Sequence, residues 1–117
     1  MGKSQSFQLP WPISTNAIWR SINGRNILSK RARAWTEAAG KELIAQNPTP
    51  VIGPVALGIA LSPPTKRAYD IDNRVKGLID LLVKHQVIES DDCRIVKQLF
   101  ITSSDGIPGA FVIVQPI

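Results

Sequence analysis

The stretch "RAYDIDNRVKGLIDLL", Arg67–Leu82, sets two carboxylates, Asp70 and Asp72, one residue apart and then runs on at helical spacing. Val75, Leu78, Ile79 and Leu82 fall at i, i+3, i+4 and i+7, the stripe of a helix that buries one side. A helix from about Asp72 to Lys84 is therefore expected, with Asp72 as its N-cap. Upstream, Val55–Leu61 is a short run of branched and apolar residues and reads as a buried strand. Ser62-Pro63-Pro64-Thr65 breaks it. The two aspartates thus lie where a strand hands over to a helix.

The rest of the chain is read outward from that unit. Downstream, Asp91-Asp92 sits in a loop before a strand from about Arg94 to Thr102. Ser104-Asp105-Gly106 is a turn, and Ala110–Val114 is a last strand. Upstream, Lys30–Gln46 has a helical pattern led by Ser29, with Ala34, Trp35, Ala38, Ala39, Leu43 and Ile44 as its apolar stripe. Asn47-Pro48-Thr49-Pro50 ends it. Asn23-Gly24 lies between Ala17–Ile22 and Arg25–Leu28, and Asn-Gly between such runs signals a hairpin, because both residues tolerate positive φ. Ser6–Leu9 alternates like a strand and stops at Pro10. The expected order is β, β-hairpin, α, β, α, β, β. That is an α+β fold: one small domain over residues 1–117, a mixed β-sheet with two helices packed on it.

Composition narrows the function classes. A chain of 117 residues, 44% hydrophobic, buries a core without disulfides. The single Cys93 has no partner in the chain, no run approaches a membrane span, and the first residues lack the apolar segment of a signal peptide. A cytoplasmic protein is expected. The net charge of +5 is unevenly spread. Nine Lys/Arg and only two Glu occupy residues 1–67, whereas residues 70–92 hold six of the nine acidic side chains. A basic body with one acidic focus suits a protein that binds a polyanion and holds a cation, and equally one whose basicity only aids solubility.

Like charges held close disfavour each other's ionised form unless a cation or proton relieves them. Asp70 and Asp72 converge if Asp70 is extended and Asp72 opens the helix. Lys76 and Asp80 follow at successive helical turns, making a polar stripe Asp72-Lys76-Asp80. Hard oxygen ligands of this kind suit Mg²⁺ or Mn²⁺, which polarise phosphoryl oxygens and acidify bound water. A lysine beside them stabilises charge on a phosphate. The same residues also admit a purely structural role: Asp72 a cap, Lys76 its solvated i+4 partner, Asp91-Asp92 a turn. Spacing alone does not return Asp91 and Asp92 to Asp70.

Other chemistries fit less well. Asp70-Ile71-Asp72-Asn73 starts like a calcium loop, but the sixth position is Val75 and the twelfth Leu81. His85 is the only histidine and reads as a helix-end residue; Cys93 reads as a small buried residue. There is no glycine-rich phosphate loop. In "LPWPISTNAIWR", Leu9–Arg20, aromatic and basic residues interleave as in sites that stack bases and contact phosphates, although core packing claims such tryptophans too. Lys30, Arg31 and Arg33 open the first helix and are either a solvated face or a row of cations over phosphates.

Taken in order, "LPWPISTNAIWR", "LSKRARAW", "YDIDNRVKGLIDLL" and "SDDCRIV" resemble the RusA family of Holliday junction resolvases, from about Phe7 to about Val96. The resemblance implies a mixed α/β fold and a homodimer that cuts four-way junction DNA with Mg²⁺ or Mn²⁺. It implies metal ligation by Asp70, Asp72 and the second member of the acidic pair, Asp92, with Asp91 as substitute. It assigns the functional lysine to Lys76. Asn73 and Asp80 match the family string without an assigned role. Arg20, Arg31, Arg33, Lys66, Arg67 and Lys76 are the residues expected to hold DNA. Two departures stand out: the basic run before Asp70 is thinned to Lys66-Arg67, and the link from the helix to Asp91-Asp92 is one residue longer than in a typical member. The expected function is a metal-dependent, structure-selective DNA endonuclease. Its rivals are a non-catalytic junction-binding protein and a small-molecule phosphohydrolase.

Overall fold

The computed structural model describes residues 3–117. Its elements are β1 (Gln5–Leu9), β2 (Trp19–Ile22), β3 (Arg25–Leu28), α1 (Lys30–Ala45), β4 (Val55–Ser62), α2 (Lys76–Lys84), β5 (Val96–Ser103) and β6 (Gly109–Pro116). Short 3₁₀ turns occupy Thr15–Ala17 and Ile71–Arg74. Four strands form one mixed sheet in the order β1-β6-β4-β5, and β2-β3 is a separate two-stranded ribbon. β4 and β5 are parallel, joined by the crossover that contains α2; β4-β6 and β1-β6 are antiparallel. The expected α+β class, element order and mixed sheet with two helices are all present.

The sheet buries one face. Val55, Leu57, Ile59 and Leu61 of β4 and Ala110, Val112 and Val114 of β6 pack against Leu43 and Ala39 of α1 and Leu78, Leu81 and Leu82 of α2. The period of two in the strands and of 3.6 in the helices is what allows one core to serve both. Val75, just before α2, and Leu78 and Leu82 on it are buried as expected, Leu81 joins them, and Ile79 is only partly covered. On α1 the buried set is Ala32, Trp35, Ala39, Gly40 and Leu43. Ala34, Ala38 and Ile44 face solvent instead of the core. The stripe is narrower than its alanines suggested, because alanine is apolar but contributes too little surface to fix a helix's rotation.

Local chemistry sets the boundaries. Asn23 and Gly24 take φ of 50° and 75°, the two positive values of a tight hairpin turn. Ser29 caps α1 by accepting from the Ala32 amide at 3.0 Å, while its hydroxyl donates to the Ala17 carbonyl at 2.6 Å. That pair ties the 3₁₀ turn before the ribbon to the helix start. The outer edge of β1 is closed by side-chain amides: Gln46 exchanges two hydrogen bonds with the Gln8 backbone, both 2.9 Å, and Gln5 does the same with Thr49. An edge strand left open invites pairing with other chains.

Gly109 begins β6 with φ 129°, and a Cβ there would collide with the Leu9 carbonyl oxygen of the neighbouring strand. Gly109→Ala is expected to cost roughly 2–3 kcal/mol from backbone strain and overpacking. Chemical denaturation checks it; a change below about 0.5 kcal/mol, the range of an ordinary surface substitution, contradicts the packing described.

Candidate metal and nucleic-acid site

The second helix does not run unbroken from Asp72. Ile71–Arg74 is a 3₁₀ turn, Asp70 precedes it in extended conformation, and α2 starts only at Lys76. Asp72 is therefore inside the turn rather than capping a helix, and neither element start has a side-chain cap. The expected stripe Asp72-Lys76-Asp80 shortens to Lys76-Asp80. The cause lies far away in sequence. Asn73 donates its side-chain amide to Ser14 Oγ at 2.7 Å, and its carbonyl accepts from Thr15 Oγ1 at 3.1 Å. The Asn73 carbonyl is thus occupied from outside, and the segment folds onto the N-terminal loop.

That loop explains "LPWPIST". Trp11 is half-buried and meets Tyr69 edge-to-face, ring centroids 5.1 Å apart. The Arg74 guanidinium lies 5.4 Å from the Trp11 ring centre and donates to the Pro12 carbonyl at 3.0 Å. Tyr69 shares a 2.7 Å hydrogen bond with Ser103 at the end of β5. The Asp70–Asp72 turn is thus gripped by the N-terminal loop on one side and the sheet on the other. Of the two tryptophans weighed as stacking residues, Trp11 packs on the core and Trp19 is 51% exposed on the ribbon.

The structure answers where the distal carboxylates go. The Lys76 ammonium sits between Asp80 Oδ1 at 2.9 Å and Asp91 Oδ2 at 3.0 Å. These contacts raise the Lys76 pKa above its ordinary value, the Asp80 hydrogen bond contributing most and the Asp91 bond next. Lys76 is thus held as a cation between two carboxylates. Asp92 is engaged elsewhere. It accepts from the Arg94 guanidinium at 2.9 and 3.2 Å, from the Arg94 amide at 2.9 Å and from the Ser90 hydroxyl at 2.8 Å. Chiefly the Arg94 side chain, then its amide and Ser90, hold the Asp92 carboxyl far below the usual range. Asp92 organises the loop; Asp91 reaches the lysine.

Asp70 and Asp72 are exposed, and among the described residues neither forms a salt bridge. The donor set is all carboxylate oxygen, which matches a hard divalent cation. In this arrangement, however, no group of three or more His, Cys, Asp or Glu among the described residues is gathered closely enough to hold a metal ion. The donor chemistry fits such an ion, and in this arrangement the Asp91 carboxylate is paired with Lys76. Beside Asp70 opens a cleft of about 390 Å³ lined by Trp11, Arg67, Tyr69 and Arg74. A neighbouring cleft of about 690 Å³ adds Lys66 and Ser103. Lys66 and Arg67 therefore line the approach to Asp70, as does Arg74, which sequence reasoning passed over. Arg20, Arg31 and Arg33 are exposed as expected, whereas Cys93 is exposed rather than buried. His85 ends α2 as expected, its ring lying against Gly40.

Comparison with known proteins gives a consistent match. The family model described as "Endodeoxyribonuclease RusA" matches residues 10–115. The chain is 34% identical over 82 residues to the crossover junction endodeoxyribonuclease RusA of Escherichia coli strain K12, covering 68% of this chain and 67% of that protein. The proteins of the same name from Escherichia coli O6:H1 and from Shigella sonnei strain Ss046 match with the same identity and coverage.

Proposed function

Because this chain belongs to the RusA family of endodeoxyribonucleases, we infer that it is a structure-selective DNA endonuclease that resolves four-way junctions by paired strand cuts in recombination and repair. The observation that carries the reading is one arrangement. An exposed aspartate pair, Asp70 and Asp72, sits at a braced turn, and two residues beyond that turn Lys76 is locked between Asp80 and Asp91.

Asp70 and Asp72 would hold Mg²⁺ or Mn²⁺, with Asp91 as the third ligand and Asp92 as its substitute. A bound divalent ion supplies charge neutralisation at the phosphate and an acidified water. The protein's own residues do the rest. Tyr69, Trp11 and Arg74 brace the turn through their mutual contacts. Lys76, a cation at neutral pH, is drawn from Asp91 to the scissile phosphate and stabilises the charge that develops there. The weaker salt links at a half-exposed site make that exchange easy, since such pairs contribute only ~0–1 kcal/mol each. Arg20, Arg31, Arg33, Lys66 and Arg67 hold the junction arms. Two equivalent cuts call for two equivalent sites, and a homodimer provides them. Among the described residues, no helix is long and apolar enough to cross a membrane.

The direct test is cleavage of a four-way junction against linear duplex of the same sequence, with and without Mg²⁺. Junction-selective, metal-dependent cutting supports the reading; binding without cutting by the purified protein overturns it. The grip on DNA is tested by salt. Each phosphate contact contributes a log–log slope of roughly −0.9 to the fall of affinity with salt. Arg31→Ala with Arg33→Ala is expected to flatten the slope by about one to two units. An unchanged slope removes the start of α1 from the interface.

A further inference from the structure

The Arg74 guanidinium is fixed by two contacts that leave one of its edges unused. Nη1 donates to the Pro12 carbonyl at 3.0 Å, and the guanidinium carbon lies 5.4 Å from the centre of the Trp11 ring. Nε is buried without a hydrogen-bond partner. Among the described residues, Nη2 makes no hydrogen bond and no carboxylate pairs with Arg74. Buried donors are nearly always paired, so an orphan of this kind calls for a reason. Nε and Nη2 share the edge of a guanidinium that takes two oxygens of one carboxylate or phosphate. Arg94 shows that edge in use: its Nε and Nη2 hold the two oxygens of Asp92 at 3.2 and 2.9 Å. On Arg74 the same edge has no protein partner. The side chain lines the cleft of about 390 Å³ that also holds Asp70 and Arg67. A cleft of that size, at the low end of small-ligand pockets, accepts one nucleotide of a strand rather than a duplex.

We propose that Arg74 grips one phosphate of the strand being cut, a neighbour of the scissile one, through its Nε and Nη2 edge, and so sets which bond lies over Asp70 and Asp72. The fork is cationic and planar, which selects an oxyanion with two oxygens to offer. Two cations, Arg67 and Arg74, face the single carboxylate of Asp70 in the cleft, so an anion is admitted. The strand meets Nη2 first, and Nε completes the fork as the side chains over it shift, a small adjustment of the kind interfaces commonly make. The Trp11 stack and the Pro12 bond hold the guanidinium plane beforehand, so little freedom is lost when the phosphate arrives. The same residue makes good the thinned basic run. Ala68 and Tyr69 stand immediately before Asp70, and Arg74 brings a cation into the cleft from the other end of the turn. The inference rests on the endonuclease reading for its substrate and on the guanidinium's geometry for its residue.

The test is junction affinity of the full chain in metal-free buffer, by gel shift across a salt series. The probes are four-way junctions carrying one uncharged methylphosphonate, stepped phosphate by phosphate around the branch point. For the wild type, the position gripped by Arg74 is expected to cost roughly tenfold in affinity, the size of a hydrogen bond to a charged group. Arg74→Met keeps an apolar stem against Trp11 and removes the fork. It is expected to lose its sensitivity at that position alone, with a log–log salt slope flatter by about 0.9. Arg74→Lys keeps the charge without the fork, so it keeps the slope and shows a smaller loss at the same position. Either variant retaining the full wild-type loss there reduces Arg74 to a brace for Trp11 and overturns the proposal. Junction cleavage with Mg²⁺ is measured beside it. A protein that shows the coupling and cuts nothing keeps this role for Arg74 and loses the nuclease reading. One that cuts junctions with no position coupled to Arg74 keeps the nuclease reading and loses this one.

Discussion

Asp70→Asn and Asp72→Asn each reduce junction cleavage by roughly a thousandfold or more while leaving the fold and junction binding in place, because a divalent ion contributes several kcal/mol at the phosphate. The structure separates the two effects. Both side chains are exposed and serve no cap, so neither substitution removes an interaction that stabilises the turn. Binding tightens if anything, since a negative charge leaves the neighbourhood of the phosphates. Single-turnover cleavage and gel-shift affinity, measured on the same protein, check this. Near-normal cutting by both variants at ordinary Mg²⁺ sinks the metal assignment.

The second large effect discriminates the acidic pair. Asp91→Asn is expected to lower cleavage by roughly a hundredfold or more, comparable to losing a charge stabiliser at the reaction centre. Asp92→Asn is expected to act on the loop: it weakens the Arg94 and Ser90 contacts, lowers stability modestly and changes cleavage less than about tenfold. Lys76→Ala belongs with Asp91→Asn, its loss falling on the chemical step rather than on affinity. The reverse ranking, Asp92 dominant and Asp91 silent, transfers the role to the residue the family resemblance indicates. Linkage adds a check. The folded Lys76 pKa is raised, so its ion pairs are fully present below the unfolded value of 10.5 and are lost only as pH rises through the folded pKa. No descending limb of activity between pH 6 and 9 is therefore expected from Lys76.

Much of this protein was legible along the chain, where a local rule governs. Asn23-Gly24 specifies its hairpin because tolerance of positive φ is a local property of those two residue types. Ser29 announces α1 because a cap bonds its own next turn. Val55–Leu61 reads as a buried strand because both its length and its branching are local. The family string from Tyr69 to Leu82, with Asp91-Asp92 after it, was also legible. Tertiary structure decided the rest, through contacts between residues distant in sequence. The helix does not start at Asp72 because Ser14 and Thr15 bind Asn73 from 59 and 58 residues away, and such a bond leaves no periodic trace. Asp91 rather than Asp92 reaches Lys76 because Arg94 and Ser90 hold the latter carboxylate, a competition that spacing cannot rank. Arg74 belongs to the site through its contacts with Trp11 and the Pro12 carbonyl, which no local pattern shows. Hydrophobic periodicity determines which side of an element is buried; which carboxylates meet is set by the path of the loops between elements, and that path is a property of the packed whole.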